Sequence, residues 1–193
     1  GAAAVVDPSL PEKSLLDELI GKDVKYILLT HGHFDHMCGA KMVKDNTGAK
    51  IVIHREDEEM LHNGEINEFN INCEGYTFPE VDADVLTEDG TEFMLGNTKI
   101  TVLHTPGHSK GGVCYLERNE KVLLSGDTLF AGAIGRTDHP GGDYDTLMKS
   151  IFEKLLMLDG DTRILPGHGP SSDIATERMT NPFLMPFNEP YEE

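Results

Sequence analysis

The 193-residue chain has no tryptophan and only three cysteines, Cys38, Cys73 and Cys114. Their number is odd, their spacing is wide and no CxxC occurs. That excludes a disulfide framework and a zinc-finger pattern, and it suits a reducing cytoplasm. No run of 18 apolar residues is present, so no transmembrane helix is expected. The first residues, Gly1 to Val6, lack the basic flank of a signal peptide. Positive charge is scarce too: 16 Lys and Arg stand against 34 Asp and Glu, for a formal net charge of −18. Such a balance argues against nucleic acid as a partner, which calls for a basic stripe, and against an anionic membrane surface. Most of the acid is expected to be solvated surface that keeps the protein in solution. No GxSxG elbow occurs, so a serine nucleophile is not indicated.

What is present fits one folded unit over residues 1–193. Apolar residues make up 38% and charged residues 26%, ordinary values for a chain with a real core. Ala2 to Val6 reads as a strand ended by Asp7-Pro8. Ser9 offers a helix N-cap ahead of Leu15, Leu16, Leu19 and Ile20. Val24 to Thr30, with the apolar centre Tyr26-Ile27-Leu28-Leu29, suits a strand buried on both faces. A helix is expected from His36 to about Lys44, a strand at Ile51 to Ile53, a helical turn from Arg55 to Leu61, and a long surface loop from His62 to Glu80. Short strands then follow one another around Val85, 92–95, 100–104, 113–116 and 122–125. A glycine-rich loop covers Gly126 to Asp143. A helix over Tyr144 to Leu158, a strand at Arg163 to Leu165 and a helix from about Asp173 to Met179 complete the pattern. Alternating elements, then strands, then alternation again predict a layered α/β sandwich.

The chemistry is concentrated in His31-Gly32-His33-Phe34-Asp35-His36. This run follows a buried strand directly, at the carboxyl end where ligand sites of α/β proteins gather. Residues two apart share a side of an extended segment, so His31 and His33 can face one metal while Asp35 and His36 reach a second. Mixed nitrogen and carboxylate donors suit Zn, and also Fe or Mn. With 9 histidines in the chain, such a run arises in about one or two of a thousand shuffled sequences. Three more ligand-type residues stand at strand exits beside glycine: His108 in Thr-Pro-Gly-His-Ser, Asp127 in Ser-Gly-Asp-Thr, and His168 in Pro-Gly-His-Gly. Arg136 lies in the glycine-rich loop, where a guanidinium can meet a carboxylate bidentately or pair with Asp138 or Asp143. Tyr144 and His139 are weaker candidates for the same pocket. His54 and His62 are expected to be structural or exposed, His104 to back the His108 segment, and Cys38 to fill the core.

The HxHxDH run, TPGHS, SGDTLF and PGHG, in this order from about Asp7 to Leu184, resemble the metallo-β-lactamase superfamily, and within it the single-domain glyoxalase II-like hydrolases. The resemblance implies a four-layer αββα sandwich with two metal ions at the sheet edge, Zn foremost. It implies that His31, His33 and His108 hold one ion, that Asp35, His36 and His168 hold the other, and that Asp127 bridges them. Two cations lower the pKa of a shared water, so hydroxide is the expected nucleophile on a thioester or ester carbonyl, with Asp35 and Asp127 as the catalytic carboxylates. Arg136 and Tyr144 are the expected substrate contacts.

Two departures from the family shape these expectations. The stretch after His168 is short, so the helical glutathione platform of full-length glyoxalase II is not expected. Only one strand precedes Asp7-Pro8 where relatives have two, so an exposed sheet edge or a homodimer is expected. Two other readings remain open: a mononuclear iron persulfide dioxygenase, which shares the fold and a Gly-Arg-Thr-Asp loop like residues 135–138, and a non-catalytic binding or redox-partner module.

Overall fold

Side chains along residues 23–29 and 50–54 alternate between two environments. Ile27, Leu29, Ile51 and Ile53 pack against helices, while Leu28 and Val52 face a second sheet. The same division recurs in the second sheet: Cys114, Leu116 and Leu123 face helices, and Val113 and Tyr115 face inward. Period-two alternation in strands buried on both sides produces this pattern. It makes three apolar layers between four layers of structure, and each fully buried Leu or Ile contributes about 1.5–3 kcal/mol. The expected αββα sandwich is therefore observed.

The computed structural model describes residues 1–73 and 77–185. The first sheet is parallel, in the order β1 (Ala2–Val6), β2 (Asp23–Leu28), β3 (Lys50–His54), β4 (Val85–Thr87). The second comprises β5 (Glu92–Leu95), β6 (Thr98–His104), β7 (Val113–Glu117), β8 (Val122–Gly126), β11 (Arg163–Pro166) and β12 (Ser172–Asp173), in the spatial order β12-β11-β8-β7-β6-β5. Only the β8–β11 pair in it is parallel. A small hairpin, β9 (Leu129–Phe130) and β10 (Ala133–Ile134), stands within the glycine-rich loop. Tyr115 donates its hydroxyl to Leu29 O at 2.7 Å, and Val113 N donates to Thr30 O at 2.8 Å. These bonds tie the exit of β2 to the second sheet, beside the histidine run.

The helices depart from expectation in instructive ways. Helix α1 (Lys13–Leu19) begins later than Ser9 suggests, with Glu12 at its N-cap and no side-chain cap. Pro8 O accepts from Gly39 N at 2.7 Å instead, which holds the preceding segment as coil. Gly39 also divides the expected helix after His36 into α2 (Phe34–Met37) and α3 (Ala40–Thr47). A Cβ there would lie 2.7 Å from Pro8 O, so only glycine admits the approach. The His62–Glu80 stretch is not wholly surface loop. It carries α4 (Phe69–Asn72), and Phe69 is buried against Phe78 with ring centroids 5.3 Å apart. The helix expected over Tyr144 to Leu158 is α5 (Tyr144–Ser150) followed by wider π turns at Ile151–Leu155, which keep both Ile151 and Leu155 buried. Helix α6 (Ile174–Thr180) is capped by Asp173, which accepts from Thr176 N. The part of the expected loop at 74–76 and the end of the single unit expected to reach residue 193 lie outside the described residues.

Candidate metal centre

Four strand exits deliver the polar groups to one edge of the sandwich. The first sheet contributes residues 31–36, after β2. The second contributes His108 after β6, Asp127 after β8 and His168 after β11. Among the described residues, three groups of ligand atoms each converge within 4.8 Å: His31, His33 and His108; His31, His36 and Asp127; Asp35, His36 and His168. All seven residues expected at the site are brought together.

The separations suit metal coordination. His33 Nδ1 lies 2.9 Å from His108 Nε2, which lies 3.2 Å from His31 Nε2. His36 Nε2 lies 3.2 Å from His168 Nε2, and Asp35 Oδ2 lies 3.2 Å from the same His168 atom. Zn–N bonds of about 2.0–2.1 Å place neighbouring tetrahedral donors roughly 3.3 Å apart. Asp127 stands between the groups: its Oδ2 is 3.7 Å from both His108 Nε2 and His168 Nε2, and its Oδ1 is 3.4 Å from His36 Nε2. Asp127 Oδ1 is buried with no hydrogen-bond partner among the described residues, a costly state for a carboxylate oxygen unless a cation satisfies it.

Hydrogen bonds behind the rings fix which nitrogen faces inward. Thr30 Oγ1 donates to Asp7 Oδ2 at 2.7 Å and lies 3.1 Å from His31 Nδ1, so it accepts from that nitrogen. Asp7 Oδ2 lies 2.9 Å from His36 Nδ1, and the main-chain O of Arg136 lies 2.8 Å from His108 Nδ1. Carbonyl and carboxylate oxygens only accept, so Nδ1 carries the proton in each ring and Nε2 presents a lone pair to the site.

Electrostatics keep three of the rings neutral. Burial, and then the neighbouring histidines, push His31 well below the ordinary histidine value. Burial and His108 bring His33 down to about 2. Burial lowers His108 to about 4, against the opposing bond to Arg136 O. These three are neutral donors at physiological pH. Burial would lower His36 as well, but Asp7, then Asp127 and Asp35, raise it to about 9, so this position attracts positive charge. Burial raises Asp127 despite His36 and His168.

A cleft of about 370 Å³ opens over the site, with Phe34, Phe130 and Ile134 as apolar lining and Glu68, Asn72 and Arg136 as polar lining. Arg136 reaches this cleft, but its Nε and Nη2 donate to Asp138 at 2.9 and 3.1 Å. Tyr144 does not line it. The chain has by then entered α5, which Asp143 caps through Thr146 N, and the Tyr144 side chain points outward at 46% exposure. His139 does line the cleft and is buried there. His104 stacks on buried His54 at 3.9 Å and its Nε2 faces Lys110 O, so it hydrogen-bonds none of the seven residues. His62 pairs with Glu80, and Cys38 fills the core, its thiol pushed up to about 12 by burial.

Sequence reasoning missed three supporting acids. Asp7 holds His36, and its place at the exit of β1 was the signal, since the other ligands share that position. Asp57 is buried and accepts from Ser109 Oγ and Gly111 N at 2.6 Å and from Gly32 N at 3.3 Å. It joins the loops of His31 and His108, yet nothing in Arg-Glu-Asp-Glu-Glu distinguishes it. Glu68, which meets His139 Nδ1 at 3.1 Å, is equally unmarked.

Known proteins resemble this chain along nearly its whole length. The profile described as Metallo-beta-lactamase superfamily matches residues 1–168. Hydroxyacylglutathione hydrolase GloC of Haemophilus influenzae is 36% identical over 188 residues, covering 94% of this chain and 87% of that protein. The crystal structure of BLEG-1 B3 metallo-beta-lactamase superposes with a TM-score of 0.85 at 37% identity, covering 92% of this chain and 86% of the other. That of TTHA1623 in a di-iron-bound form gives 0.80 at 34% identity, covering 92% and 87%. On its motifs, its fold and these likenesses, the chain belongs to the metallo-β-lactamase superfamily.

Proposed function

We propose that the protein is a binuclear metal-dependent hydrolase of thioesters, with Zn in both sites. The observation that carries this reading is Asp127, whose carboxylate lies between two sets of inward-facing imidazoles. His31, His33 and His108 are assigned to one ion, Asp35, His36 and His168 to the other, and Asp127 to both. Retention of His36 and His168 beside Asp35 favours two ions over the single iron of a persulfide dioxygenase. The name of the Haemophilus relative, a hydroxyacylglutathione hydrolase, supports a thioester as substrate. The unpaired cysteines fit a cytoplasmic setting.

Bound divalent cations supply a water of lowered pKa and a Lewis acid for a carbonyl oxygen. The chain holds His31, His33 and His108 neutral and aimed. Asp35, 35% exposed and lining the cleft, would accept a hydrogen bond from the attacking water and orient it. Phe34, Phe130 and Ile134 hold the acyl chain and exclude bulk water. Arg136 orients a substrate carboxylate in exchange for Asp138.

Elemental analysis paired with a thioester panel that includes S-lactoylglutathione tests this. Two zinc ions per chain and hydrolysis of at least one thioester are expected. One iron per chain with persulfide oxidation would overturn the reading.

A further inference from the structure

Three of the four buried histidines proposed as ligands have their outer nitrogen held: His31 by Thr30, His36 by Asp7 and His108 by Arg136 O. His33 is different. It faces the cluster through Nδ1, so Nε2 points away, and this atom is buried with no hydrogen-bond partner among the described residues. A second buried orphan lies beside it. His139 Nε2 also has no partner, and the His33 and His139 rings pack with centroids 4.7 Å apart. The His139 side chain is only 5% exposed and its Nδ1 is 3.1 Å from Glu68 Oε1.

The two orphans are chemically complementary. An imidazole that ligates through Nδ1 carries its proton on Nε2, which is then a donor in need of an acceptor. Glu68 is an acceptor, so His139 carries its proton on Nδ1 and leaves Nε2 as a lone pair. Glu68 itself has a left-handed backbone, φ 64° and ψ 10°. For a residue other than glycine this is an uncommon conformation, and such strain persists where surrounding structure requires it. The residues Pro140-Gly141-Gly142 turn the loop behind His139, and Gly142 N donates to His139 O at 2.9 Å.

We propose that His139 is the positioning residue for His33: through one bridging water its Nε2 accepts the hydrogen bond that His33 Nε2 donates, and Glu68 fixes it in the form able to do so. The inference rests on the metal-centre reading above. It gives His33 the carboxylate-backed support that His36 receives from Asp7, relayed through a second imidazole.

The test is zinc affinity of the full chain by competition with a chromophoric chelator, alongside long-range ¹H–¹⁵N NMR of the histidine rings. In His139→Phe, which keeps a ring in place, one of the two zinc ions should bind about 10–100-fold more weakly while the other is unchanged. His139→Gln, whose amide oxygen can take the same proton, should regain most of the loss. In the zinc-loaded wild type, His139 should be protonated at Nδ1 alone and His33 at Nε2 alone, a result that needs no variant to fold. A proton on His139 Nε2, a Phe variant that binds both ions normally, or a Gln variant as weak as Phe would each overturn the relay. A wild-type chain that takes up no zinc would overturn the metal-centre reading and the relay with it.

Discussion

Asp7 Oδ2 and His36 Nδ1 meet at 2.9 Å across 29 residues of chain, joining the exit of β1 to the histidine run. The same carboxylate accepts from Thr30 N and Thr30 Oγ1, each at 2.7 Å. Asp7→Ala removes all three bonds. We expect one zinc ion to bind about 10–100-fold more weakly and stability to fall by about 2–3 kcal/mol from the orphaned Thr30 amide and hydroxyl. Asp7→Asn, which still offers an oxygen, should lose less of both. Chelator competition and urea unfolding measure the two effects.

Asp127 is the residue on which both ions are proposed to depend. Asp127→Ala should leave fewer than two metal ions per chain and lower thioester hydrolysis about 100-fold or more. The far-ultraviolet circular dichroism should not change, because Asp127 lies at the sheet edge and outside the three apolar layers. Full activity in this variant would show that the bridging role is misassigned.

Gly167 gives a purely steric test. A Cβ there would clash with Asp127 Oδ1 and lie 2.6 Å from His36 Cε1. Gly167→Ala should therefore cost about 1–3 kcal/mol of stability and reduce zinc occupancy. Gly169→Ala is the control. That glycine has φ +79° but nothing within 4 Å of the added atom, so the expected cost is about 1–2 kcal/mol of backbone strain with zinc retained.

Arg136 divides two substrate classes. If it leaves Asp138 for a substrate carboxylate, Arg136→Gln should raise KM roughly tenfold for carboxylate-bearing thioesters and leave neutral ones alone. Equal KM changes for both classes would return Arg136 to a loop ion pair.

The His54–His104 stack predicts a dependence of stability on pH. Burial and then His104 lower His54 to about 4, against an ordinary value of 6.5. Above pH 6.5 neither the folded nor the unfolded state binds this proton. Between pH 6.5 and 4 the unfolded chain binds it and the folded one does not, so stability falls as pH falls. His54→Gln should flatten the pH dependence of the urea unfolding midpoint over that window, relative to wild type.

The legible parts of this protein are those with a local pattern. Tyr26-Ile27-Leu28-Leu29 and Ile51-Val52-Ile53 announce buried strands because apolar runs of that length suit nothing else so well. His31 to His36, His108, Asp127 and His168 announce themselves by residue type and place. Partners supplied from afar were silent. Asp57 meets Gly111 across 54 residues and Glu68 meets His139 across 71, with no periodicity to mark either. The break between α2 and α3 was hidden for the same reason, since it depends on Pro8 reaching Gly39. Tyr144 was misplaced because proximity in sequence to the glycine-rich loop does not carry past the helix cap at Asp143.

Each proposed ion takes donors from both sheets, as His31 and His33 meet His108, and Asp35 and His36 meet His168. An ion held this way is a rivet between layers that otherwise adhere through side-chain packing and a few hydrogen bonds. His168 directly follows β11, so the second rivet cannot close until that strand has docked beside β8. A bound pair of ions, as proposed, would then certify that the two halves of the sandwich have met in register.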